Sequence, residues 1–514
     1  MLQHLAGHPW ALAHLGTHGS ENFSRSFEHI QFGMFAVGCT RHSRDRKNTG
    51  GHRMVSRREF LAATGAAVTV STVGNAALPA NDRAGVGGEK SVRLFLAEDD
   101  LKPATFDRLP LEWHKQRAKK LQDKLAEDGS NGILLTDRWN IIYFTGLWHT
   151  TTERLVQVFL PKNGDPVWFN AALDRDLVKT WWYSDGEMYF DWPHAEGAFP
   201  NDGKVQMGPQ VDLFEWVLKG VKKRGYGDKK LVADTELRPS SQRKVVAILG
   251  REMGSAEDVC LKMRILKTPE ELALTRRAYN YFNQMHADAR DLLLQHGTDL
   301  TDYDIGAAAT KYGTDLVMAD IKRDGAPHTA VGIEIEVDCR VGKSTAYPHP
   351  NQFLHNKITR GQAIQIEGGV NIAGCGGELY RAMFIHPITD QMRKLWTVSR
   401  DSCLIQKEES VAGVTGSTVA YKIHKHQVQQ GVAPYIYHRP GHGQGWEGHQ
   451  PPYLALGDYT MLEPGMSFSV EPGLYDPEHG IGANFSDAFI VEPQGPSRQM
   501  SRLPWSEDWC FVKI

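Results

Sequence analysis

The chain reads as an α/β protein of two domains. Two observations carry this reading. Helical and strand periodicities alternate from Leu111 to about Gly250, and beyond Gly325 a strand-rich stretch full of Gly and Pro turns follows one long helical segment. A length of 514 residues suits two or three domains with a large core. The formal charge of -3 argues against a dedicated nucleic-acid surface. Six cysteines are scattered without a CxxC pair, which argues against a disulfide framework or a cysteine zinc site.

The elements follow in order. Residues 1–53 are His-rich and featureless, and are expected to be a non-native or disordered leader, with Met54 as a natural start. Ser56-Arg57-Arg58-Glu59-Phe60-Leu61 is a twin-arginine pattern, and the small, mildly apolar residues Ala62 to Ala80 follow it. Residues 54–80 therefore resemble an export signal for folded proteins, which implies a periplasmic or otherwise exported location. The apolar stretch is too interrupted for a membrane span. Residues 81–105 read as a linker, 106–257 as the first domain and 258–514 as the second.

Within the first domain, Trp113 to Leu125 is expected to be an amphipathic helix. Gly132 to Leu135, Asn140 to Gly146 and Leu155 to Leu160 are expected to be strands. The second domain opens on a strong local signal. Thr268 can cap, Pro269 suits the first helical turn, and Glu271 completes a capping box. Apolar residues then recur at Leu274, Ala278, Phe282, Met285, Ala289 and Leu293, and Gly297 ends the helix.

The residues that carry chemistry lie farther on. A strand Ala363 to Glu367 meets Gly368-Gly369, and Glu378 to Ile385 reads as its return strand. This brings Glu367 and Glu378, eleven residues apart, toward one point. His438-Arg439-Pro440-Gly441-His442-Gly443-Gln444-Gly445 and Glu447-Gly448-His449 put three imidazoles within twelve residues. Histidine suits metal binding and proton transfer near neutral pH, and glycine lets a ligand approach closely. The strand ending Phe468-Ser469-Val470 delivers Glu471 before Pro472-Gly473-Leu474-Tyr475, and the last strand is Asn484 to Val491.

In these motifs, and at the join Met263 to Glu271, the chain resembles the pita-bread metallopeptidases over roughly residues 110–500. It is most similar to their Xaa-Pro branch, aminopeptidase P and prolidase. The resemblance implies a creatinase-like N-terminal α/β domain and a pita-bread α+β catalytic domain. It also implies a dimer acting on a short peptide or other small molecule, with no nucleic-acid partner. Position by position, it implies metal ligands at Glu367, Glu378, His442 and Glu471, the last doubling as general base. It implies substrate- or transition-state-binding histidines at His349, His438 and His449. In such a site two divalent cations (Mn, Zn, Co or Fe) about 3.5–4 Å apart bind one hydroxide and bring its pKa near neutral.

Three carboxylate positions depart from the family pattern, and one arginine position with them. Glu367 and Glu378 stand where the family has aspartates, each longer by about 1.5 Å. Ser486 stands where a glutamate bridges both ions. Adjacent strand residues point to opposite faces, so Asp487 is expected to face away. The arginine usually two residues before that glutamate is Asn484. Three carboxylates instead of four leave open two ions, one ion or none. The expected activity is hydrolysis of an Xaa-Pro amide bond. The alternatives are the fold's non-peptidase chemistries (creatinase-like, ectoine hydrolase-like, dimethylsulfoniopropionate lyase-like) and a non-catalytic binding protein.

Overall fold

The computed structural model describes residues 104, 107–149, 152–190, 210–320, 332–349 and 355–514. The leader, the twin-arginine segment and the start of the linker lie outside them. Among the described residues no helix is long and apolar enough to cross a membrane.

The N-terminal elements are α1 (Leu111–Glu127), β1 (Gly132–Leu135), α2 (Arg138–Thr145), β2 (Gln157–Pro161), β3 (Val167–Ala171), α3 (Arg175–Lys179), β4 (Asp185–Tyr189), α4 (Leu213–Val221), β5 (Val232–Ala233), α5 (Pro239–Leu249), β6 (Gly254–Ser255) and α6 (Glu257–Ile265). Their strands form one mixed six-stranded sheet in the order β4-β3-β2-β1-β5-β6. The segment expected as a strand from Asn140 to Gly146 is the helix α2. The Asp137 side chain accepts the Asn140 N–H at 2.9 Å and starts it, and Gly146 ends it in the left-handed region at φ 82°. A short apolar run does not separate strand from helix by periodicity, and here the caps decide.

The C-terminal elements begin with α7 (Pro269–His296), whose capping box is complete. Glu271 N–H donates to Thr268 Oγ1 at 3.3 Å, and Thr268 N–H donates to Glu271 Oε2 at 2.8 Å. Then come α8 (Asp302–Asp320), β7 (Ile333–Val341), β8 (Ala363–Ile372), β9 (Cys375–Glu378), β10 (Arg381–Ile385), α9 (Asp390–Glu409), α10 (Gly416–Gln429), β11 (Gly441–Gly443), β12 (Gln450–Leu454), β13 (Ser467–Val470), β14 (Leu474–Asp476), β15 (Ile481–Ala483), β16 (Asp487–Ile490), β17 (Arg498–Gln499), α11 (Glu507–Cys510) and β18 (Phe511–Val512). One sheet runs β18-β10-β8-β7, with β9 also on β8. A second runs β12-β11-β13-β16-β17, and β14 pairs β15. The tail is therefore not strands alone, because α9 and α10 interrupt it. The expected return strand from Glu378 is two strands, broken at Leu379 and Tyr380, and the strand expected from Asn484 as the last one starts at Asp487 and is followed by β17 and β18.

The five described cysteines are buried free thiols, and one apolar core runs from α1 through α7 into both C-terminal sheets. Trp446, just past the histidine-glycine run, stacks near Trp113 and Trp148 and donates its indole N–H to Glu271 Oε1 at 2.7 Å. The capping carboxylate thus also fixes the run against α1 and α7.

Helix α7 contributes a buried histidine behind the site. His286 Nε2 lies 3.1 Å from the Leu379 carbonyl, and burial, with Arg381 nearby, pushes its pKa down to about 3. The imidazole is neutral in the folded protein. In the unfolded chain it protonates as pH falls through 6.5, so its contribution to stability is lost between 6.5 and the folded value. The unfolding free energy of the wild type, minus that of His286→Gln, is expected to fall by about 2 kcal/mol from about pH 8 to about pH 5. Urea titrations of both proteins check this, and a pH-independent difference would refute it.

Candidate active site

Strand register assembles the site. His442 in β11 is opposite Ser469 in β13, and Val470 is opposite Asp487 in β16. Paired residues share a face and neighbours alternate, so His442, Ser469 and Ser486 share one face while Asp487 lies on the other. The contacts agree. Ser469 Oγ lies 3.1 Å from Ser486 Oγ and donates to Glu378 Oε2 at 3.3 Å. Asp487 bonds Arg381 on the far side at 2.8 Å.

Glu378 ends β9 and is held from several directions. Tyr380 OH donates to its Oε2 at 2.9 Å, and Tyr279 OH donates to its carbonyl at 2.7 Å. The backbone carbonyl of Glu336 occupies the place where a Cβ on Gly368 would go, so only glycine lets β8 pass there. Glu471 leaves β13 at a tight turn, its N–H on the Pro440 carbonyl at 2.8 Å.

The structure brings Glu378, His442, His449 and Glu471 together. Ligand atoms of Glu378, His442 and His449 all lie within 4.8 Å of one another. His442 Nε2 lies 3.3 Å from Glu471 Oε1 and 3.9 Å from Glu378 Oε2. The His442 and His449 rings sit 4.0 Å apart. His438 stands at the rim, its Nε2 3.0 Å from Tyr475 OH. His349 is exposed, yet near enough to His449 to disfavour its protonation. Glu367 lines the same cavity as Glu378, a space of about 290 Å³, but does not join the cluster. Its Oε2 accepts from the Arg340 guanidinium and from Gln365 Nε2.

The electrostatics follow from burial and from these neighbours. Burial, helped by Glu471, pushes Glu378 up to about 7 against the pull of His442. Burial opposes charge on His442, but Glu471 and Glu378 outweigh it and raise its pKa. Burial would also raise Glu471, but His442, His438 and His449 hold it below the ordinary carboxylate range. Burial, then the charge on His442, pushes His449 down to about 4. Burial with Glu471 thus favours a proton on Glu378, and the two carboxylates favour one on His442, which marks a place that calls for positive charge.

That place fits a divalent cation. His442 is fully buried, and its Nδ1 lies 3.0 Å from the Gly443 carbonyl. This leaves Nε2 as the free ring nitrogen, and it lacks a well-aligned hydrogen-bond partner despite its nearness to Glu471. A buried imidazole nitrogen facing two carboxylates is a ligand set for Mn, Fe, Co or Zn.

A model of metallopeptidase family M24 matches residues 273–493, and a model of the creatinase/prolidase N-terminal domain matches residues 117–207. The chain belongs to metallopeptidase family M24. An Xaa-Pro dipeptidase from Lactobacillus delbrueckii subsp. lactis is 25% identical over 395 residues, covering 76% of this chain and 99% of the relative. Among solved structures, the dipeptidase PepE from Mycobacterium ulcerans matches with a TM-score of 0.63 at 19% identity, covering 79% of this chain and all of that one. A prolidase from Thermococcus sibiricus matches with a TM-score of 0.61 at 18% identity, over 78% and 99%. The structural matches show the M24 fold with its creatinase-like N-terminal domain. Membership supports a peptidase that uses divalent metal.

Several residues at the site went unnoticed in the sequence. Arg340, Tyr380 and Ser469 carry no motif, and Gln444, whose Oε1 accepts the Glu378 N–H at 3.3 Å, lies in the histidine-glycine run without a role assigned to it. Arg340 offered one signal, as the lone basic residue in the strand Val337-Asp338-Cys339-Arg340-Val341.

Proposed function

We propose that this M24 protein is an Xaa-Pro-type peptidase of the aminopeptidase P and prolidase kind. The convergence of Glu378, Glu471 and His449 on the buried His442 carries the reading. The names of the relatives supply the substrate class. Glu378, His442 and Glu471 would hold the metal. When bound, a divalent ion supplies a hydroxide near neutral pH and polarises the scissile carbonyl.

The side chains do the rest. Glu471, kept ionised by its histidine neighbours, accepts the proton of the attacking water and returns it to the departing amine. His449, neutral at pH 7, donates a hydrogen bond to the oxygen that becomes negative. His438, held by Tyr475, and His349 across the opening orient the peptide.

The test is release of free amino acid from Xaa-Pro dipeptides and longer Xaa-Pro peptides supplied with Mn, Co, Zn or Fe. Cleavage supported by at least one of these metals and abolished by chelator is expected. No cleavage with any of the four would remove the reading, and hydrolysis of a small amide that survives chelator would favour creatinase-like chemistry instead.

A further inference from the structure

Charge around the site balances in an unusual way. Three carboxylates stand at ligand positions, Glu367, Glu378 and Glu471, and Glu336 and Asp338 of β7 line the cavity beside Glu367. The Ser486 hydroxyl is neutral, fully buried and turned to Ser469. Beside Glu367 sits a permanent cation. Arg340 in β7 is opposite Gln365 in β8, which aims its guanidinium at Glu367, two residues along the same face. The side chain is 7% exposed. Its other amino group donates to the carbonyls of Tyr347 at 2.7 Å and Pro348 at 3.3 Å, in the turn that carries His349. The guanidinium is thus built in, buried and spoken for on two sides.

We propose that Arg340 takes the place of a second metal ion, so that this peptidase site holds one divalent cation per chain. The inference rests on the metallopeptidase reading given above. Guanidinium is always charged and matches a carboxylate in geometry. Paired with Arg340, Glu367 has neither net charge to offer nor a free Oε2. The carboxylates that face His442, Glu378 and Glu471, carry two negative charges, which balance one divalent ion with His442 as its neutral ligand. Ser486 removes the bridging carboxylate independently, so two departures at different positions subtract from the same half of the site. Arg340 is then a positioning residue. It fixes Glu367 and the His349 turn by a side chain rather than by a metal.

Counting bound metal tests this without reference to turnover. Purified protein is equilibrated with Mn or Zn, dialysed and analysed for metal per chain. One ion is expected in the wild type and in Glu367→Gln, and none in His442→Ala. Because Glu367→Gln leaves a buried guanidinium unpaired, Arg340→Met/Glu367→Gln removes the pair as a unit and is also expected to keep its ion. Two ions in the wild type, or loss of the ion from both Glu367 variants, would overturn the inference and leave the metallopeptidase reading standing. No ion in the wild type under either metal would overturn both.

Discussion

Replacing Glu471 with Gln is expected to lower kcat on an Xaa-Pro peptide by about a hundred- to ten-thousandfold, the range that a positioned general base supplies. Its carboxylate is the ionised member of the cluster. His442 lies 3.3 Å away, and His438 and His449 add to the field that keeps the proton off. An amide of the same shape keeps the turn, because Glu471 is anchored through its backbone to Pro440 rather than through its side chain. The fold is therefore expected to survive, and circular dichroism and metal content accompany the kinetics. If Glu471 acts as a base beyond ligating metal, kcat falls more than saturating metal restores. A kcat within tenfold of wild type at saturating metal would show that proton transfer runs through another group.

The site was legible where its chemistry is local in sequence. Gly441-His442-Gly443 forms β11, and a Cβ on Gly441 would meet the Ser469 carbonyl while one on Gly443 would meet the Gln450 carbonyl, so the glycines record how closely β13 and β12 pack. The capping box of α7 is likewise a matter of three residues. The face assignment of Ser486 and Asp487 followed from strand alternation and agrees with the contacts each makes. What stayed hidden depends on register between distant strands. Arg340 and Glu367 are 27 residues apart, and only the β7–β8 pairing brings them together. Tyr279 comes 99 residues earlier in the sequence and reaches Glu378 because α7 packs beneath β9. The misread segment at Asn140 is of another kind, since its outcome turned on the Asp137 cap just outside the apolar run.

The largest effect on stability is expected from Arg381→Met, at about 3–5 kcal/mol, the cost of breaking a buried ion pair from one side. Arg381 and Asp487 are both fully buried. Arg381 donates to Asp487 at 2.8 Å and to the carbonyls of Ser486 at 2.8 Å, Tyr380 at 2.9 Å and Leu503 at 3.1 Å. Its guanidinium lies over the rings of Phe485 and Trp505. Asp487 also accepts from Gln499 Nε2 at 2.8 Å and from the Ser501 N–H and hydroxyl. Removing the arginine leaves a carboxylate in the core with neutral donors only, and takes a donor from three carbonyls, of which those of Tyr380 and Ser486 keep their backbone bridge. Arg381→Met/Asp487→Asn cancels the stranded charge, so it is expected to be less destabilised than Arg381→Met alone. Urea unfolding of the two variants decides between this and a packing role, because a packing role makes the losses add. The pair also bears on function. Tyr380 and Ser486 are bridged through their backbones at 3.1 and 3.2 Å, and Arg381 grips both carbonyls from behind. Loosening it shifts Tyr380, and with it the hydroxyl that holds Glu378, so metal affinity is expected to weaken in Arg381→Met even at temperatures where the protein remains folded.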